Sequence, residues 1–226
     1  MPPEFLTISS RTYAVLDWIV KNAYPEPMAR PRSFDEAAVL RTARDQFWET
    51  GYAGTKVDDL AAATGLGKGS LYGAFGDKHA LYLRVFDHHC AEMAESTRRQ
   101  LDGPDDTAYA RLSGHVHAIA ESVAADQARR GCLIAKSTAE CAEHDEAVAA
   151  RSRRLFEDIQ DHLTTCIAGA QRAGDLAGDQ DPARLAGLVL AVLRGLEALG
   201  KGGVAPAGIR AIAETALAVL PKPVKD

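Results

Sequence analysis

The chain has 226 residues, 46% of them hydrophobic, and a formal net charge of −5, which allows a sizeable core in one large domain or two small ones. That charge excludes a uniformly basic nucleic-acid coat. Its four cysteines, Cys90, Cys132, Cys141 and Cys166, form no C-x-x-C pair, which argues against a disulfide framework and a zinc site.

Charge is unevenly spread: residues 30–84 carry +1 and the remainder −6, the sign expected of a DNA-contacting segment on an acidic body. Residues 1–29 stand apart as an N-terminal extension, with a short helix expected over Ser10–Asn22 and then the breaker YPEP. The apolar AVLDWIV carries Asp17 in its middle and has no small-residue cleavage pattern after it, so it does not read as a signal peptide.

Strand signals are nearly absent, and alanine-rich runs with apolar residues three or four apart predict an all-α protein. Ser33 with Glu36 makes a capping box, and the helix it opens sets Val39, Ala43 and Phe47 on one stripe and stops at Gly51. Thr55 with Asp58 repeats the cap and opens a helix over Val57–Thr64 that Gly65 ends. A third helix spans Lys68–Phe75 and ends at Gly76, where Asp77 caps a long fourth helix toward Leu101. DGPDD, residues 102–106, is a loop. Further helices are expected at Thr107–Asp126, Cys132–Glu143, Glu146–Ala173, Pro182–Lys201 and Pro206–Leu220.

The stretch TGLGKGSLYGAFGDK, residues 64–78, crowds glycine and lysine as a phosphate cradle would. A Walker loop, however, needs a hydroxyl after its lysine, and here Gly69 follows Lys68. A dinucleotide fingerprint starting at Gly65 meets Ser70 in its third slot, and both motifs require a preceding strand where an alanine-rich helix stands. A helix-turn-helix fits instead. Ala61 supplies the small residue at the crossing, Gly65 tolerates positive φ in the turn, and Leu60, Leu66, Leu71 and Ala74 pin the two sides.

FWETGYAGTKVDDLAAATGLGKGSLYGAFGDKHALYLRVF resembles the DNA-binding domain of TetR-family transcriptional regulators of the AcrR-like type, over Ser33 to about His89. RGCLIAKSTAE resembles one branch of that family in the C-terminal part. The resemblance implies a three-helix helix-turn-helix domain over residues 30–80 and a helical bundle for ligand binding and dimerisation over 81–226. It implies that Thr55 and Lys78 hold phosphates from opposite flanks, an assignment that the anion-binding character of helix N-termini favours. Lys68, Gly69, Ser70, Tyr72 and Gly73 would line the groove-facing side. Lys68 has the reach to bond guanine; Tyr72 is either a core aromatic or a phosphate contact, Phe75 is core, and Lys56 is either a solvated charge near the backbone or a further DNA-binding contact.

Three consecutive helical side chains point about 100° apart, so His88, His89 and Cys90 do not converge on a metal. Arg151–Arg154 read as a solvated helix face. No activated nucleophile, cofactor motif or paired carboxylate points to an enzyme. Cys132 follows RRG at a helix start, where positive charge and free N–H groups would lower a thiol pKa, which opens an alternative redox or electrophile sensor. Leu185–Leu199 is shorter than the ~20 apolar residues of a membrane span and holds Arg194 and Glu197, so no membrane partner is expected and the protein is placed in the cytoplasm.

Pro182–Lys201 is apolar nearly all round and must be buried on more than one side. With Pro206–Leu220 (Ile209, Ile212, Leu217, Leu220) it offers a homodimer face. The partners implied are double-stranded DNA, a second copy and a small-molecule effector. Met93, Ile119, Cys132, Phe156 and Ile159 are its candidate pocket walls, and the scarcity of charge in those helices points to an apolar or aromatic molecule that releases a repressor from its operator.

Overall fold

The computed structural model describes residues 34–223; the Ser10–Asn22 helix, the Ser33 cap and the 1–29 extension lie outside them. Among the described residues every regular element is helical. The α-helices are α1 (Glu36–Gly54), α2 (Val57–Thr64), α3 (Lys68–Phe75), α4 (Lys78–Leu101), α5 (Ala108–Ala125), α6 (Leu133–Cys141), α7 (Glu146–Arg172), α8 (Pro182–Lys201) and α9 (Pro206–Ala218), with a 3-10 turn at Asp105–Thr107. The sequence-derived boundaries agree to within about two residues, the scatter normal for frayed ends, except at α1. That helix does not stop at Gly51 but breaks there and resumes to Gly54.

α1 buries Val39, Leu40, Ala43 and Phe47, and α4 buries Leu81, Tyr82, Val85 and Phe86. Phe47 and Tyr82 meet edge to face with centroids 5.0 Å apart, and Tyr52 closes on Tyr82 at 4.7 Å, a geometry that adds to the area term. The two short helices α2 and α3 commit only Leu60, Leu71 and Phe75 to the interior. Asp77 starts α4 by accepting from the Ala80 N–H at 2.8 Å.

α7 is the longest helix and the axis of the C-terminal part, packing against α4, α5, α6 and α8. Its buried stripe, Val148, Leu155, Ile159, Leu163, Cys166 and Ile167, keeps the helical period that the sequence displays. Gly169 brings α7 close to the start of α5, where a Cβ would stand 2.8 Å from Asp105. Arg172 closes the same corner with a two-pronged bond to Asp105 at 2.7 and 2.8 Å. α8 buries Ala186, Val189, Leu193 and Leu196 on α7, and α9 buries Ile209, Ala213 and Leu217 on α5. The other face of α8 leaves Leu188 and Leu199 exposed, and Ile212 of α9 lies beside them in exposure. No described helix is long and apolar enough to cross a membrane.

Candidate nucleic-acid interface and effector cleft

Gly65 ends α2 with φ 70° and ψ 10°, a left-handed cap without which the chain would not reverse into α3. Beyond it Lys68, Gly69, Ser70, Tyr72 and Gly73 are all exposed, while Leu71 and Phe75 face inward. Tyr72 is 46% exposed, which settles its side of the helix. Among the described residues nothing lies within 4 Å of where a Cβ would stand on Gly69 or Gly73. Each glycine costs a helix about 0.5–1 kcal/mol relative to alanine, and no packing among the described residues explains either. The Lys68 ammonium pairs with the exposed Asp58 carboxylate at 2.5 Å, and that hydrogen bond raises its pKa.

Two expected phosphate contacts are not laid out as the sequence suggested. Thr55 is sealed inside at 1% exposure. Its hydroxyl donates to the Gly51 carbonyl and lies beside the Thr50 hydroxyl, both at 2.6 Å. The start of α2 has moved one residue on: exposed Lys56 holds the cap position and its N–H donates to Asp59 at 3.0 Å. Thr55 was outcompeted because Gly51, four residues earlier, offers its carbonyl to the hydroxyl. Lys78 also turns inward, donating to the Thr55 carbonyl at 2.8 Å and standing 4.4 Å from the Tyr52 ring centre. Lys78 thereby ties α4 to the corner between α1 and α2 that the Thr55 hydroxyl closes from within.

A cleft of about 950 Å³ opens where α1, α4, α5, α6 and α8 meet. Trp48, His89, Met93, Cys132, Lys136 and Glu197 line it, with the loop 126–131 at its rim. Of the five expected pocket residues, Met93 and Cys132 are there; Ile119, Phe156 and Ile159 are not. Ile159 is 2% exposed and belongs to the α7 core, so its spacing was that of ordinary packing. Nor is the wall poor in charge, since Lys136 and Glu197 take part in it. Trp48 donates its indole N–H to the Gly131 carbonyl at 2.9 Å, and Arg130 lies over its ring at 4.7 Å.

The electrostatics of the cleft run against a reactive thiol. Burial, then Glu197, push the Cys132 thiol up to about 11, against the opposing pull of Arg194, which donates to its sulfur at 3.6 Å. Of the two arginines expected to activate it, Arg130 stacks on Trp48 and Arg129 lies beside Gly203. Burial also raises Glu197, whose partner Arg194 is 2.9 Å away. Burial and then the Arg44 charge lower His89 to about 4. Its Nδ1 makes no hydrogen bond among the described residues, the Glu92 carboxylate being 3.9 Å off. No group of three or more His, Cys, Asp or Glu among the described residues is arranged to hold a metal.

Sequence reasoning missed Trp48, Lys136 and Glu197. Their significance is that of helices meeting in space, and their local spacing carries no signal of it.

Residues 39–85 match the family model described as bacterial regulatory proteins, tetR family, and residues 108–201 match tetracyclin repressor-like, C-terminal domain. The HTH-type transcriptional repressor ComR of Escherichia coli K12 is 27% identical over 198 residues, 87% of this chain and 93% of the relative. The repressor DhaR of Mycobacterium sp. strain GP1 is 28% identical over 149 residues, 66% and 73% of the two chains. Among solved structures, a cysteine mutant of the TetR-family regulator CifR in complex with 26-base-pair double-strand operator DNA is 30% identical with a TM-score of 0.69. That likeness covers 85% of this chain and 100% of the other. With the helix-turn-helix and its C-terminal helical partner both matched, this chain belongs to the TetR family: it is a DNA-binding transcriptional regulator and not an enzyme.

Proposed function

We propose that the chain is a homodimeric repressor that reads a palindromic operator with α3 of each protomer and is released by a small molecule in the cleft beside α6. The observation that carries the reading is the outer face of α3. Gly69 and Gly73, four apart on a short exposed helix with open space above them, suit a backbone that must approach a groove floor. Beside them Lys68 has the reach to bond guanine O6 and N7, a contact worth about 1–3 kcal/mol of discrimination. Tyr72 on the exposed side suits a phosphate.

The exposed Leu188, Leu199 and Ile212 on adjoining helices support a two-fold interface that pairs α8 and α9 with their copies. Such symmetry implies half-sites about one helical turn apart, or a multiple of it. The cleft suits an effector with an aromatic or apolar body against Trp48 and Met93 and a polar group toward Lys136. Sensing through a Cys132 thiolate is disfavoured by the pKa that burial imposes.

The test is fluorescence anisotropy with duplexes selected from a random pool. Tight binding that weakens steeply between 50 and 200 mM salt is expected, because neutralised phosphates release counterions. Lys68→Ala should erase discrimination at one G·C pair and leave binding to other positions intact. Salt-independent or absent binding by the intact protein removes the reading. Sedimentation should give a dimer that Ile212→Asp dissociates; a monomeric wild type, or an undisturbed dimer in the variant, removes the interface.

A further inference from the structure

At Gly51, φ is 78° and ψ is 171°, so the hydrogen-bond ladder of α1 is cut. In an unbroken α-helix the Tyr52 N–H would bond the Trp48 carbonyl and the Ala53 N–H the Glu49 carbonyl, by the i to i−4 rule. All four orphaned groups are recovered by two side chains of α6. Lys136 Nζ donates to the Trp48 carbonyl at 2.8 Å and to the Glu49 carbonyl at 3.0 Å. The Glu140 carboxylate accepts from the Tyr52 N–H at 3.0 Å and from the Ala53 N–H at 2.7 Å. Lys136 and Glu140 are one turn apart on α6, and they serve the two sides of the break in the order in which the chain presents them.

We propose that Lys136 and Glu140 form a splint across the broken α1 and are positioning residues for operator binding, fixing the angle at which the reading helices leave the body. Everything beyond the break leads directly to the groove reader: residues 52–54, the buried Thr55, α2, Gly65 and α3. The upstream part of α1 is anchored in the aromatic core by Phe47. The splint therefore sets the pose of one part on the other. Its charged groups suit this, because hydrogen bonds to ionised partners are stronger than neutral ones. Lys136 is shared with the effector cleft, where it stands four residues after Cys132. An acceptor group of a bound molecule that draws its ammonium away from Trp48 and Glu49 frees one side of the break, which gives the cleft a physical route to the DNA-reading end. The proposal rests on the DNA-binding reading above and adds to it where the pose is controlled.

The experiment uses the full-length chain with Glu140→Gln, Lys136→Met and the double variant. A glutamine keeps the size of Glu140 but one of its two terminal atoms no longer accepts, so one amide loses its partner. Three quantities are measured: operator affinity, its salt slope, and hydrogen exchange at the Tyr52 and Ala53 amides. Each single variant should weaken operator binding about tenfold to thirtyfold. The double variant should be little worse than either single, since a splint loosened at one end no longer holds. The salt slope should stay that of the wild type, because no phosphate contact is removed. Exchange at the amide that loses its acceptor should accelerate at least tenfold in Glu140→Gln.

Unchanged affinity with accelerated exchange overturns the positioning role. Unchanged exchange overturns the splint itself, and additive losses overturn the joint action. A wild type that binds no DNA removes the functional reading, while the exchange data still report on the splint. Circular dichroism of each variant guards against unfolding, and Lys136→Arg, which keeps the donors, should recover most of the lost affinity.

Discussion

Replacing Gly51 by alanine tests the geometry of the break without any reference to DNA. Its backbone, at φ 78° and ψ 171°, lies in a region that is essentially glycine-only, and forcing a side chain there costs about 1–3 kcal/mol. The added Cβ would also stand 2.7 Å from one Glu140 oxygen and 3.1 Å from the other. The carboxylate must withdraw, and each hydrogen bond it gives up is worth about 1.5–3 kcal/mol when a charged group is involved. With one of its two hydrogen bonds given up, the expected destabilisation is about 2.5–6 kcal/mol, a large share of the ~5–15 kcal/mol typical of a domain. Urea unfolding, with the midpoint and slope fitted separately, reads it directly. In a Glu140→Ala background the crowding is gone and only backbone strain remains, so the same substitution should cost about 1–3 kcal/mol. A cost below about 0.5 kcal/mol, the range of ordinary surface changes, refutes the reasoning. Equal costs in the two backgrounds would show that Glu140 plays no part in it.

Acid should weaken the fold through two buried histidines. Burial lowers both His89 and His115 to about 4, while in the unfolded chain each binds a proton near pH 6.5. Stability is full above pH 6.5 and falls as pH drops toward 4, where the folded forms at last protonate, by up to about 3 kcal/mol per histidine. Urea midpoints at pH 7.5, 5.5 and 4.5 check the sign, and His115→Asn should make the decline shallower; a flat profile contradicts it. Lys78→Ala removes the bond to the Thr55 carbonyl and the contact with Tyr52, so it should cost about 1–2 kcal/mol of stability and leave the salt slope of DNA binding unchanged. A slope flatter by about one unit would return Lys78 to the phosphate contacts.

The helices and the turn at Gly65 were legible because each is written locally. Apolar residues recur at helical spacing in α4 and α7, Asp77 and Asp181 cap by short-range bonds, and Gly65 stands where only a left-handed residue serves. The exposed side of α3 followed from the same pattern, since Leu71 and Phe75 mark the buried side. What the sequence hid was the destination of polar side chains. Thr55 looks like a cap until the Gly51 carbonyl proves to be within its reach. Lys78 looks like a free cation until Tyr52 and the Thr55 carbonyl are placed beside it. The cleft depends on α1 and α6, distant in sequence, so neither Trp48 nor Lys136 announces it. Phe156 and Ile159 kept a helical period that a core and a pocket share.

The bare face of α3 has a consequence for how such a regulator diversifies. Because none of the described residues comes within 4 Å of where a Cβ would stand at positions 69 and 73, side chains of several sizes fit there without disturbing the described interior. If α3 reads the operator as proposed, substitutions at these two positions would change DNA preference while the fold stays the same.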